Sequence, residues 1–145
     1  MKPNIQKAYQ ETAATQWNRI EMLLALYNGV IDRLEEVRIG KINGDRSKEV
    51  NGQVRAAALL AGIEMGLDDT HAPEITSRVR RLCDYCRQCL LEGDEASIKS
   101  AILVLSNLRD GFEGIREEAS QMEAEGVIPP LEQSQAAGVI DDCVV

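Results

Sequence analysis

The chain has 145 residues, 44% of them hydrophobic but only 3% aromatic, with 28% charged and a formal net charge of −8. That length supports one domain with a core of its own, and an aliphatic composition poor in aromatics favours helices over a sheet sandwich. The acidic balance argues against a nucleic acid gripped through its phosphates and against an anionic membrane surface.

The opening MKPNIQKAYQ lacks the apolar core of a secretory signal, and no apolar run approaches the roughly 20 residues that span a bilayer. A cytoplasmic protein with reduced thiols and no membrane insertion is therefore expected. Residues 1–14 read as a mobile N-terminal segment, although Ile5 and Tyr9 could dock. From Trp17 the apolar positions Ile20, Leu23, Leu24, Tyr27, Ile31, Leu34 and Val37 fall on one side of a long helix. Gly40 and the segment KINGD are expected to close it, and Asp45 or Ser47 to cap the next.

The second helix, over about 47–65, carries two apolar stripes. One is Val50, Val54, Ala57, Ala58 and Ala61; the other is Ala56, Leu59, Leu60, Ile63 and Leu67. A helix apolar around so much of its circumference is either central in its fold or offers a face to something else. The third helix should begin near Ala72 or Pro73, proline being well tolerated in a first turn, with Ile75, Val79, Leu82, Cys86 and Cys89 on its inner side. After a break at 92–94, a fourth is predicted to run from Ile98 through Ile102, Leu105, Leu108, Phe112, Ile115 and Ala119 to Met122, only weakened by Gly111 and Gly114. Beyond Gly126 the sequence VIPPLEQSQAAGVIDDCVV has no sustained period. The expected architecture is all-α: an antiparallel up-and-down bundle of four main helices over residues 15–125, with a flexible, acidic C-terminal tail over 126–145.

Within RRLCDYCRQCL, Cys83, Cys86 and Cys89 repeat at intervals of three. On a straight helix each such step turns about 300° and climbs about 4.5 Å, which splays three thiolates too widely to meet one ion at a sulfur distance of about 2.3 Å. Small buried hydrophobes explain them better than a metal or an iron–sulfur cluster. A single histidine, His71, removes the commonest general base. The carboxylate pairs read as exposed charge, and no glycine loop cradles a phosphate. Neither an enzyme nor a cofactor is expected.

The segments AYQ at 8–10, MLLALYNGVI at 22–31, GLDD at 66–69, EITSRVRRLCDYCRQCL at 74–90 and VLSNLRDGFEGI at 104–115 together resemble the FliS family, the flagellar export chaperones that bind flagellin. The resemblance covers about residues 9–118. Leu26-Tyr27-Asn28-Gly29 corresponds to a family motif in the first long helix. Leu82, Asp84 and Tyr85 correspond to a Leu-Tyr-Asp-Tyr segment in which Cys83 replaces the first tyrosine. Leu108, Arg109 and Phe112 correspond to a leucine, an arginine and an aromatic position where tryptophan is common. Gln16-Trp17 replaces the usual small residue and proline.

The resemblance implies a helical bundle that holds the disordered C-terminal region of flagellin in the cytoplasm, prevents premature polymerisation and assists delivery to the flagellar export gate. It also implies an N-terminal tyrosine, here Tyr9, that covers client-binding surface when no client is bound. The residues expected to meet the client are Leu59, Leu60 and Ile63, with Tyr27, Tyr85 and Tyr9 as aromatic contributors. Apart from Tyr9, all of these could instead fill the bundle. Two other readings stay open: a self-associating adaptor, a homodimer joined through the extra apolar stripe, and a thiol or metal sensor built on the cysteines.

Overall fold

The computed structural model of the chain describes residues 17–70 and 72–131. Five helices follow one another: α1 (Arg19–Asn43), α2 (Arg46–Met65), α3 (Pro73–Glu92), α4 (Glu95–Glu113) and α5 (Arg116–Ala124). Among the described residues the structure is all-helical. α1 packs most extensively on α2 and next on α4, while α3 packs on α4 and α2. The four long helices thus form a ring in chain order, with α1 diagonal to α3, as short connections between antiparallel neighbours dictate.

Local chemistry fixes the corners. Asn18 caps α1 by accepting from Glu21 N–H at 3.0 Å, Asp45 caps α2 through Lys48 N–H at 3.1 Å, and Asp94 caps α4 through Ser97 N–H at 3.2 Å. These bonds satisfy N–H groups that a helix start leaves without an intrahelical acceptor. The Ser97 hydrogen bonds also hold the Asp94 carboxyl below its ordinary pKa. Pro73 opens α3 at its first turn, as expected.

Gly40 does not close α1. The helix runs through it to Asn43, and the left-handed residue is Gly44 at φ 69°. There Asp45 N–H reaches back to Gly40 C=O at 2.8 Å, a cap that a side chain at position 44 would strain. Gly40 has a different task. A Cβ there would sit 2.8 Å from Glu49 N, so the glycine lets the start of α2 cross close to α1.

The fourth predicted helix is divided. α4 ends at Glu113, the chain turns at Gly114 and Ile115, and α5 sets off separately to pack against α1. Gly111 and Gly114, taken as a local weakening, coincide with a real break. α5 is tied to the start of α1 by polar contacts: Glu123 Oε2 accepts from Arg19 N–H at 2.9 Å, and Asn18 Nδ2 donates to Ser120 Oγ at 2.8 Å. The first residues assigned by sequence to the tail join this knot. Arg19 donates to the carbonyls of Pro129 and Pro130, and Leu131 N–H donates to Glu123 Oε1 at 2.8 Å.

The core is aliphatic, with Leu26, Val30, Leu34 and Val37 of α1 against Leu59, Leu60 and Ile63 of α2 and Ile98, Ala101 and Leu105 of α4. α3 is rotated from its predicted setting. Its buried line is Thr76, Val79, Cys83, Cys86, Cys89 and Leu90, so Cys83 moves from the flank to the centre while Ile75 is exposed and Leu82 only partly buried.

Candidate binding surface

Of the six residues expected to meet a client, four lie inside the bundle. Tyr27, Leu59, Leu60 and Ile63 are each 1% exposed or less and belong to one continuous core. In the closed bundle they present no surface to a partner, which matches the alternative that they fill the bundle. Their stripe lies on the side of α2 that faces α1 and the interior, because Leu and Ile bury more apolar area per position than Val and Ala. Tyr85 stands on the surface, 47% exposed. Tyr9 lies outside the described residues.

The other stripe of α2 points outward. Val50 is 40%, Val54 64% and Met65 86% exposed, and Ala58 and Ala61 between them are exposed as well. At spacings of three and four these five residues fall on one line, about 22 Å long at about 1.5 Å per residue, and no charged side chain interrupts it. A solvent-facing helix surface ordinarily carries Lys and Glu there. Further apolar exposure comes from Ile75 and Tyr85 on α3 and Leu103 on α4. The sequence reading named four of the five outer residues as a stripe but not as the exposed one. A signal was available: Gly52 stands in series with Ala56, Leu59 and Ile63, and a glycine in a helix marks the side where another backbone comes close.

Two stretches that carry the family resemblance meet across α1 and α4. The rings of Tyr27 and Phe112 stack with centroids 5.6 Å apart, and Arg109 Nη1 donates to Asn28 Oδ1 at 3.2 Å. Burial of the Tyr27 phenol, reinforced by the nearby thiols of Cys83 and Cys86, raises its pKa and keeps it neutral. This part of the motif holds α4 onto α1 and positions the rest.

Cys83, Cys86 and Cys89 are core residues. Burial, with the Glu64 carboxylate adding to it, pushes the Cys83 thiol up to about 11; burial and the neighbouring thiols push Cys86 up to about 12. Among the described residues, no group of three His, Cys, Asp or Glu is placed to hold a metal ion. Because the thiolate is the reactive form, Cys83, Cys86 and Cys89 are expected to escape alkylation in the native protein at neutral pH and to react together once denaturant unfolds it. Intact mass spectrometry would read this, and fast modification of all three under native conditions would contradict a closed core.

Among the described residues no helix is long and apolar enough to cross a membrane. In comparison with known proteins, the family model of the flagellar protein FliS matches residues 1–119, most of the chain and all of the four-helix ring. No individual curated protein matches. The match of that model over this span, on an all-helical ring, identifies the chain as a member of the FliS family, the flagellar export chaperones.

Proposed function

We propose that the protein binds the disordered C-terminal region of flagellin in the cytoplasm, holds it from premature polymerisation and assists its delivery to the flagellar export gate. The observation that carries this reading is the uncharged outward line of Val50, Val54, Ala58, Ala61 and Met65 on α2, left over after the bundle has closed. A disordered segment can lay apolar side chains along such a line, each fully buried anchor contributing roughly 1.5–3 kcal/mol before ordering costs. Ordering the client takes back roughly 2–5 kcal/mol or more and association itself costs roughly 4–15 kcal/mol of lost translational and rotational freedom, so a contact broader than a single helix face is required. Tyr85, Ile75 and Leu103 extend the contact around the bundle. A client that wraps would use both surfaces.

The chemistry required is sequestration alone, without catalysis. Substituting Val54→Asp places a charge in the middle of the line without touching the core. Titration of the full chain with a peptide from the flagellin C-terminal region should give an affinity about ten- to hundredfold weaker than wild type. The thermal midpoint should stay where it was. Unchanged affinity in the Val54→Asp protein would remove α2 from the contact and with it the basis of this reading.

A further inference from the structure

The apolar line on α2 has two unlike margins. At about 100° per residue, Lys48 and Arg55 fall on the side toward α1, and Gln53, Ala57 and Glu64 on the side toward α3. Contacts across the helices agree: Gly52 and Gly62 meet Arg33, Val37 and Leu26 of α1, while Glu64 pairs with Arg87 of α3 at 3.0 Å. That ion pair closes the α3 margin. The α1 margin stays open, because neither Lys48 nor Arg55 has a carboxylate at ion-pair distance among the described residues.

Arg55 carries the argument further than Lys48, which is exposed. Arg55 is half-buried, and its Nη1 is shut off from solvent and has no hydrogen-bond partner. Acids are not scarce in a chain with 24 Asp and Glu for 16 Lys and Arg. Arg33, Arg38, Arg46, Arg80 and Arg87 each have one. Arg78 and Arg81 also form no ion pair among the described residues, but both are exposed and water serves them. A guanidinium already stripped of part of its hydration gains more from a carboxylate than one in open solvent, because less water has to be displaced and the local dielectric is lower.

Its position fixes the chemistry of an occupant. Around the helix axis Arg55 stands about 100° from Val54 and about 60° from Ala58, and about 4.5 Å along the axis from Ala58. A segment that seats aliphatic groups on Val54 and Ala58 therefore brings a neighbouring side chain over the guanidinium. Asp or Glu there makes charge-assisted hydrogen bonds. Lys or Arg would set like charges together, and an apolar residue would cover the guanidinium without replacing its water. Acceptance and rejection at one position together make specificity.

We infer that Arg55 is a specificity-determining residue of the outer α2 face: it takes the carboxylate of an Asp or Glu that lies beside the aliphatic anchors of the bound client segment. It also sets which way round the segment docks, since reversal would carry that acid to the Glu64 margin. The inference rests on the client reading above and adds the acid to it.

Titration of the full chain with a peptide from the flagellin C-terminal region, and with copies in which each Asp or Glu is changed singly to Asn or Gln, tests it. Arg55→Gln should bind the parent peptide about ten- to hundredfold more weakly, and Arg55→Lys should lose less. One of the amide peptides should lose as much on the wild-type protein and nothing further on Arg55→Gln, the mark of two groups that meet. Arg116→Gln, the same charge change on α5, should alter affinity by no more than about two- to threefold. Thermal midpoints should stay at the wild-type value, since Arg55 makes no ion pair within the described fold that could be lost. Losses that simply add, or an Arg55→Gln effect no larger than that of Arg116→Gln, would overturn the inference. If Val54→Asp weakens binding and Arg55→Gln does not, only this inference falls; if neither does, the client's use of α2 falls with it.

Discussion

An aspartate in place of Ile63 is expected to leave the chain without a cooperative fold. Ile63 is 1% exposed and packs in the same core as Leu59 and Leu60. Removing its side chain alone should cost about 2–5 kcal/mol. A carboxylate buried there without a partner adds several kcal/mol, whether it stays charged or takes up a proton. Domains of this kind have about 5–15 kcal/mol in total, so the sum takes most or all of it. Circular dichroism should record a large loss of helix and no sharp thermal transition. Val54→Asp, on the opposite side of the same helix, should stay within about 0.5 kcal/mol of wild type. If the Ile63→Asp protein melted like the parent, the inner and outer faces of α2 would have been assigned the wrong way round.

Gly52→Ala should destabilise although alanine is the better helix former. A Cβ at position 52 would lie 2.8 Å from Val37 Cγ2, 2.9 Å from Arg33 O and 3.2 Å from Val37 N. Two of those atoms are backbone, which cannot rotate away, so α1 and α2 would have to separate where they pack most extensively. Overpacking of this sort costs about 1–3 kcal/mol, against a propensity gain of about 1 kcal/mol. Gly111→Ala is the control, since a Cβ there meets nothing within 4 Å. It should gain up to about 1 kcal/mol from propensity alone. Chemical denaturation of both variants would measure the difference, and a Gly52→Ala protein as stable as the Gly111→Ala protein would contradict the close crossing.

The two predictions meet on the same helix, and together they locate what was legible in advance. Four long helices, their approximate limits, the Asp45 cap, the Pro73 start and the break before Asp94 are local matters. They follow from side chains that bind their own neighbouring backbone and from residues that cannot continue a helix. The family resemblance was legible in the same way, because its residues occur in order along the chain. Gly40 misled for the opposite reason: its purpose is contact with Glu49 of another helix, and nothing within a few residues of it reveals that. The split after Glu113 escaped as well, since the apolar spacing continues to Met122 as though the helix did too.

By itself, then, the sequence determined the helical class, the number of long helices and the excess of apolar surface on α2. Only the tertiary structure decided which stripe of α2 is enclosed, how far α3 is turned about its axis, and which glycines bring backbones together. Periodicity is a property of one helix, and two stripes of equal period satisfy it equally well. The choice belongs to the neighbours. Gly52 admits Val37 and the Arg33 carbonyl on one side, Leu59, Leu60 and Ile63 fill the space that opens there, and Val54 and Met65 are left facing the solvent.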